Sequence, residues 1–320
     1  MTICIDVPRG FRLQSAADFY ADFIPGSGMA AAATDGLTLS FRLDRTFEAT
    51  VVRLGQAGRT LRMEVFGTEN LGSARAQVAR ILGLEADADA WAELGERNPV
   101  VAKLKAEFPG FFTATKPSPY DAAVWAILAP RVQMRAAAAV KLAMMHTLGD
   151  RVSAGDSEHH VFPGPAVLAT LEAFPGVPAE RVERLRGIGR AALEGKLDAT
   201  TLREMPADAA LHELQKLRGV GPWAASHIYF RGAAPIDALP TVEPRVLHGL
   251  ADVLGVSSIS PADFRLHAVS WRPFRMWVSV LLSRHLARTG GWRSPALARE
   301  REIASRALSR RTRSATASSR

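Results

Sequence analysis

The hydrophobic pattern of this chain changes its period once, and the change divides the sequence into two parts. Up to about residue 85, apolar residues alternate with polar ones, as Leu37, Leu39 and Phe41 do, which is typical of a half-buried strand. Beyond residue 90 the apolar residues recur at helical spacing, and no segment convincingly predicts a strand. We therefore expect an α+β N-terminal domain, a small antiparallel sheet with helices, over residues 1–88, followed by an all-α domain over residues 89–290.

Periodicity and cap residues predict the individual elements. Ser118 and Pro119 should begin a helix, because a serine side chain caps free amides and proline suits the first turn. Pro130 should break the long apolar run that continues to Leu148. Further strands are expected at residues 3–7, 47–51 and 61–65, and further helices at 11–23, 73–82, 178–194, 208–217, 223–231, 243–254 and 274–288.

The positive charge is concentrated at the C-terminal end. The formal net charge is +8, yet residues 286–320 contain nine arginines and only two glutamates, so the preceding part is nearly neutral. Residues 291–320 lack apolar periodicity and are expected to form a disordered basic tail. Global charge therefore does not identify a partner for the body of the chain.

Several classes of protein are excluded by what the sequence lacks. A single cysteine, Cys4, cannot form a disulfide framework, and the histidines do not follow a metal-ligand spacing. No apolar stretch approaches the roughly 20 residues that a membrane-spanning helix needs. We expect a cytoplasmic protein without membrane contact.

The segment from Leu214 to Ala225 carries the most specific signal. Gly219, Val220 and Gly221 allow a tight turn between two helices, and Pro222 suits the start of the second helix. The amides of Gly221 and Trp223 would then lie at a helix N-terminus, where they can bind a phosphate group. We expect Gly219, Val220 and Ala224 of the same hairpin to bind DNA with them. Gly187-Ile188-Gly189 has nearly the same letters, but we interpret it as an ordinary glycine-containing helical turn because no acidic segment follows it.

Two acids follow the hairpin at a short distance. Asp237 and Glu243 lie in the segment Ile236 to Arg245, and a carboxylate at a helix start beside a phosphate site could stabilise the cationic sugar formed when a base leaves DNA. Here the sequence resembles the helix-hairpin-helix (HhH-GPD) DNA glycosylase superfamily, in particular the bacterial 3-methyladenine DNA glycosylase II (AlkA) type. The resemblance extends to about residue 290.

The resemblance implies roles for these acids. Asp237 matches the first acid of the family segment, Thr241 and Val242 occupy the intervening positions, and Glu243 falls where the family has its catalytic aspartate. Glu243 is thus the first candidate for the catalytic carboxylate and Asp237 the second, while the alternative for Glu243 is a helix acid that interacts with the dipole. Trp223 stands where relatives that also cleave the backbone have a Schiff-base lysine, so the resemblance implies a monofunctional hydrolase.

The resemblance also implies residues that handle the base. Trp271, Trp223 and His227 match pocket positions, where aromatic faces attract positively charged alkylated bases, and packing in the core is the alternative for each. Trp277 is interpreted as core. Arg131 matches the residue that wedges into the gap left by the flipped nucleotide, and a solvated arginine at a helix break is equally compatible with the pattern.

The expected function is excision of alkylated purines, of the 3-methyladenine or 7-methylguanine type, from duplex DNA in base excision repair. The alternative is a catalytically weak or inactive DNA damage-binding protein. The resemblance implies a first domain like the TATA-binding protein and no required cofactor. The sequence gives no sign of an oligomer, so we expect a nucleoid-associated monomer. A monovalent cation at the hairpin would be held by the carbonyls of Gln215, Leu217 and Val220.

Overall fold

The N-terminal part of the chain contains a five-stranded antiparallel sheet and two helices. The computed structural model describes residues 1–33, 36–240 and 243–290. The sheet has the strand order β1-β5-β4-β3-β2. The elements are β1 (Thr2–Asp6), α1 (Leu13–Asp22), β2 (Ala30–Ala33), β3 (Gly36–Arg42), β4 (Ala49–Ala57), β5 (Thr60–Phe66) and α2 (Leu71–Leu82).

The alternation seen in the sequence sets the register of the sheet. Leu39 of β3 lies opposite Val52 of β4, and both side chains are buried in one core. Asn70 caps α2 through a hydrogen bond from the Ser73 amide, and the helix ends at Gly83, whose φ of +70° favours glycine. The predicted antiparallel sheet with helices is confirmed, although β2 was not predicted.

The part that follows is mainly helical, as predicted. Ser118 caps the helix that begins at Pro119 through a hydrogen bond from the Asp121 amide. That helix ends at Leu128, just before Pro130. The helices are α3 (Ala88–Arg97), α4 (Pro99–Glu107), α5 (Pro119–Leu128), α6 (Met134–Leu148), α7 (Pro165–Ala169), α8 (Ala179–Leu193), α9 (Ala199–Glu204), α10 (Ala207–Gln215), α11 (Pro222–His227), α12 (Pro244–Leu254), α13 (Pro261–Val269) and α14 (Arg275–Thr289). A π-helical turn, Ile228–Ala233, continues α11.

A β-hairpin interrupts the helical part, so the expectation of no strand beyond residue 90 was wrong. Strands β6 (Asp150–Ala154) and β7 (Ser157–Val161) pair in antiparallel register. Val152 and Val161 pack against Val51 of the first sheet, and Asp150 forms an ion pair with Arg42. The hairpin therefore buries its few apolar residues against the N-terminal sheet.

A cluster of three buried charges lies at the start of α5. The Asp121 carboxylate accepts hydrogen bonds from Lys116 Nζ at 2.8 Å and from Lys141 Nζ at 2.6 Å. Burial lowers the pKa of Lys116 to about 7. Burial alone would raise the pKa of Asp121, but the two ammonium groups lower it to about 2. The cluster is fully desolvated and has two cations for one anion.

None of the described helices combines the length and the hydropathy that crossing a bilayer would require. The tail expected at residues 291–320 lies outside the described residues.

Candidate active site

A cleft of about 960 Å³ runs between α1, the α5–α6 loop and helices α11, α12 and α14. It brings together residues that are more than 200 positions apart in the chain. Aromatic side chains line it from several sides, and charged side chains stand among them. The lining includes Phe19, Phe23, Trp125, Trp223, His227, Arg231, Glu243, Arg245, Met276 and Arg284.

The hairpin turn connects α10 to α11 beside this cleft. The Val220 amide donates a hydrogen bond to the Leu217 carbonyl at 3.0 Å. Gly219 has a φ of +86°, and an added Cβ would lie 2.5 Å from Arg184 Cδ. The left-handed backbone therefore favours glycine at position 219, and any side chain there would also have to displace Arg184.

Gly221 differs from Gly219, because its backbone is not left-handed. Its φ of −86° and ψ of −176° are extended, and an added Cβ would meet open space. Gly221 caps α11, and the Ala225 amide donates to its carbonyl at 2.9 Å. Within the described residues, the Gly221, Trp223 and Ala224 amides have no hydrogen-bond acceptor, as the free end of a helix predicts.

The second glycine pair is not a hairpin. Gly187 and Gly189 lie inside α8, which runs without interruption from Ala179 to Leu193. The Gly189 position faces the backbone of Pro165 and Ala169, so that glycine permits close helix packing. The interpretation of this segment as a simple helical turn is confirmed.

Glu243 lies at the N-terminus of α12 and lines the cleft. Its carboxylate accepts hydrogen bonds from the Arg245 amide at 3.3 Å and from Arg245 Nε at 3.0 Å. The side chain is 22% exposed, so it remains reachable from the cleft. Glu243 thus combines the helix-capping role with a position suited to chemistry. Thr241 and Val242 lie outside the described residues.

Asp237 lies outside the set of residues that line the cleft. Arg275 Nε donates to Asp237 Oδ1 at 2.6 Å, and its Nη2 donates to Oδ2 at 3.1 Å. This bidentate pair joins the segment before α12 to the first turn of α14. The geometry therefore gives Asp237 a structural partner in Arg275.

Trp271 is buried in the core, so the structure does not bring this expected pocket residue into the cleft. It is 0% exposed, and its ring packs edge to face with Phe264 at 5.6 Å between centroids. Trp277 is also core, in contact with the rings of Trp91 and Phe112. Both indoles fill space between helices. For Trp271 this is the alternative that the sequence left open, packing in the core.

Trp223 and His227 do line the cleft. Their rings stack with centroids 5.4 Å apart and planes 20° apart, because they lie one turn apart on α11. Burial, with the nearby positive charges of Lys116 and Arg231, lowers the pKa of His227 well below its ordinary value. The imidazole is therefore neutral and extends the flat face of the indole.

Arg131 lies at the tip of the loop between α5 and α6. Its φ of +58° is left-handed, and its side chain is exposed. The neighbouring Pro130 and Val132 line the cleft, and Arg181 holds the loop by donating to the Leu128 and Pro130 carbonyls. The arginine thus stands on a fixed loop at the rim of the cleft.

Three residues that sequence reasoning missed line the cleft. Trp125 of α5 contributes an aromatic face, and Arg231 and Arg284 contribute charge. Every residue of α5 is buried, and Asp121 is its one charged residue, so periodicity could not show which of its faces borders a cleft. For Arg231, the one available signal was its place just after the hairpin helix.

Comparison with known proteins finds relatives in sequence and in structure. No family model matches the chain. The DNA-3-methyladenine glycosylase of Bacillus subtilis (strain 168) is 23% identical over 208 residues, which are 63% of this chain and 69% of that protein. The DNA-3-methyladenine glycosylase 2 of Escherichia coli (strain K12) is 28% identical over 202 residues, which are 61% of this chain and 66% of that protein.

Solved structures share the fold. The 3-methyladenine DNA glycosylase from Archaeoglobus fulgidus matches with a TM-score of 0.75 and 16% identity, covering 89% of this chain and 98% of that one. In sequence and in fold, the chain is similar to the helix-hairpin-helix DNA glycosylases of the AlkA type. The same fold occurs in the Clostridium acetobutylicum 8-oxoguanine glycosylase/lyase in complex with double-stranded DNA, with a TM-score of 0.58, 14% identity, and coverage of 82% and 99%.

For a glycosylase of this type, the hairpin carbonyls of Gln215, Leu217 and Val220 are candidates for holding a monovalent cation. All three lie at or next to the turn between α10 and α11. The Leu217 oxygen accepts one hydrogen bond from Val220 and keeps a second lone pair, so the residues fit such an ion. In the described part of the chain, acidic, histidine and cysteine side chains form no metal-binding group. The cation remains a prediction.

Proposed function

We propose that this glycosylase is a monofunctional DNA N-glycosylase that removes alkylated purines from duplex DNA. One observation carries the proposal: the Glu243 carboxylate and Trp223 of the hairpin helix line the same cleft. In this proposal the hairpin amides bind a phosphate and the acid acts on the same nucleotide. The relatives named as DNA-3-methyladenine glycosylases support the reaction class.

In the proposed reaction the hairpin amides bind a phosphate of the DNA backbone while the damaged nucleotide turns out of the duplex. The bond between the sugar C1′ and the base breaks, and the base leaves with the electron pair. The sugar becomes cationic, and the Glu243 carboxylate stabilises that charge. A water oxygen then bonds to C1′, and Glu243 accepts the proton that the water loses.

The reaction is proposed to use water because no amine is placed to attack the sugar. Among the described residues, the cleft lining contains no lysine. Lys216 Nζ donates to Glu213 Oε1 at 2.6 Å. Lys116 is buried and bound to Asp121. Neither can reach C1′ to form a Schiff base.

A second candidate function is binding of damaged DNA without catalysis. The observation that favours it is the ion pair of Glu243 with Arg245, because a purely structural helix cap would have the same partners. Both functions would use the hairpin and the cleft to bind DNA that contains a damaged base. They differ only in whether free base is released.

The partner in this proposal is double-stranded DNA with a damaged base, as in the DNA complex of the Clostridium neighbour. We further propose that the protein acts as a monomer on the nucleoid. It requires no cofactor, and a monovalent cation at the hairpin would assist phosphate binding.

Release of free base from duplex oligonucleotides tests the proposal. Separate duplexes carry 7-methylguanine, 3-methyladenine or 1,N6-ethenoadenine, and liquid chromatography measures the released base. We expect at least one free base and an intact abasic strand, with no covalent complex after borohydride reduction. Lesion-specific binding without release from any duplex would favour the non-catalytic binder, and a trapped complex would contradict the monofunctional mechanism.

A further inference from the structure

The charges that line the cleft are mainly positive. Among the described residues, Arg231, Arg245, Arg284 and Arg288 line it, against two carboxylates, Asp22 and Glu243. A cationic base entering this space would approach more positive than negative charge. Like charges at short range in a partly desolvated space oppose binding.

Two of these arginines make no direct ion pair among the described residues, although burial lowers the pKa of Arg284 and the nearby carboxylates of Asp18, Asp22 and Glu107 oppose that shift. Arg245 pairs with Glu243 and Arg288 with Glu107, but within the described residues Arg231 and Arg284 form no ion pair. Arg231 donates one hydrogen bond to the Ala114 carbonyl at 3.0 Å. Arg284 makes one long contact, 3.5 Å, with the Ser15 carbonyl.

Aromatic rings hold both side chains in place. The Arg284 guanidinium carbon lies 4.4 Å from the Phe108 ring centroid and 4.5 Å from that of Phe111. The Arg231 guanidinium carbon lies 5.3 Å from the Phe23 centroid. Burial lowers the pKa of Arg231 to about 10, so it stays charged at neutral pH. Both arginines therefore present fixed positive charge to the cleft.

The aromatic faces that could attract a cationic base already face internal cations. Lys116 Nζ lies 5.3 Å from the Trp125 ring and 5.8 Å from the Phe23 ring, and Arg231 and Arg284 both lie over Phe19. Trp271, the ring expected to read positive charge, is in the core. Trp223 is left as a stacking surface, backed by the neutral His227.

We infer that this cleft selects damaged bases whose ring carries no positive charge. The inference rests on the proposed glycosylase function and narrows its substrate to uncharged alkylated purines, such as 1,N6-ethenoadenine or O6-methylguanine. Trp223 stacks on the base, and the guanidinium donors of Arg231 and Arg284 face its ring-nitrogen or oxygen acceptors. Arginine suits such acceptors because its donors lie in one plane.

Two bases of nearly the same shape but different charge test the inference. One duplex carries 2′-fluoro-7-methylguanine, a cation whose glycosidic bond resists hydrolysis, and the other carries the uncharged 7-methyl-7-deazaguanine. Fluorescence anisotropy gives the affinity of the parent protein for each duplex and for undamaged DNA. We expect the uncharged base to bind at least as tightly as the cation.

Variants then assign the preference to the cleft arginines. Arg284→Gln should shift the affinity ratio toward the cation by about fivefold or more, while Arg284→Lys, which keeps the charge, should leave the ratio unchanged. Arg151→Gln removes an exposed arginine of β6 that does not line the cleft and should also leave it unchanged. Arg231→Gln provides a second, independent cleft variant.

The outcomes separate this inference from the function on which it rests. Tighter binding of the cation than of its uncharged counterpart by the parent would overturn the charge preference, and so would an unchanged ratio in both glutamine variants. If the protein binds both modified duplexes no better than undamaged DNA and releases no base, the proposed function itself fails.

Discussion

Glu243 and Arg245 form an ion pair within the first turn of α12, with 3.0 Å between Oε1 and Nε, and the Arg245 amide lies 3.3 Å from the same oxygen. One carboxylate therefore caps the helix, pairs with a cation and faces the cleft. Because its orientation is fixed by contacts within three consecutive residues, the acid is placed before DNA binds. Such preorganisation suits a group that stabilises developing positive charge.

The hairpin glycine should be required for DNA affinity. Gly219→Ala places a Cβ against Arg184 at a residue with positive φ, so the turn must distort. We expect about a tenfold or greater loss of duplex affinity at fixed salt, with helical content retained by circular dichroism. Gly187→Ala is the matched control, because position 187 is helical and open and should not change affinity. Equal affinity of the two variants would contradict the hairpin assignment.

The two tryptophans should separate stability from base binding. Trp271→Ala empties a fully buried site and should lower the free energy of unfolding by about 3–5 kcal/mol, measured by urea titration. Trp223→Ala, at a side chain that is 36% exposed, should change stability little and weaken binding of lesion-containing DNA. The assignment of Trp271 to the core is contradicted if its alanine variant is as stable as the parent.

Some features of this fold could be predicted from the sequence, and the position of Trp271 could not. The hairpin, the split at Pro130 and the capping serine at position 118 follow from local chemistry, so the sequence predicts them. Whether Trp271 faces a cleft or a core depends on which helices pack around it, and this information is not local. The β6–β7 hairpin was missed because its strands are mostly polar and bury only Val152, Ala154 and Val161.

The loop arginine should act in base flipping. Arg131→Gly removes the side chain and suits the left-handed backbone at that position, so the loop should keep its shape. We expect base release to fall by roughly tenfold or more while affinity for undamaged duplex changes little. Arg135→Ala is the control, because it removes a nearby exposed arginine and alanine keeps helix α6 intact. A parent-like rate for Arg131→Gly would exclude the wedge role.

The buried lysine should make stability depend on pH. The pKa of Lys116 is about 7 in the folded protein, below its value in the unfolded chain, which is about 10.4. Between these values the unfolded chain binds more protons, so stability should rise with pH from about 7 to about 10 by at most roughly 1.4 kcal/mol per pH unit.

Lys116→Met should remove this component, because Asp121 keeps Lys141 as its partner. Thermal or urea unfolding at several pH values between 7 and 10 gives the free energy of unfolding of both proteins. The parent should gain stability relative to the variant as the pH rises. Parallel pH dependences would show that Lys116 keeps an ordinary pKa in the folded state.

The role of Glu243 is the central claim, and single-turnover release of base from a lesion-containing duplex tests it most directly. Glu243→Gln keeps the shape and removes the charge, and Asp237→Asn is the matched control because its carboxylate pairs with Arg275 outside the cleft lining. We expect Glu243→Gln to lose about 10²-fold or more in rate with lesion affinity retained, and Asp237→Asn to stay within about tenfold of the parent. Parent-like release by Glu243→Gln would contradict the account, and a larger loss in Asp237→Asn would assign the chemistry to Asp237.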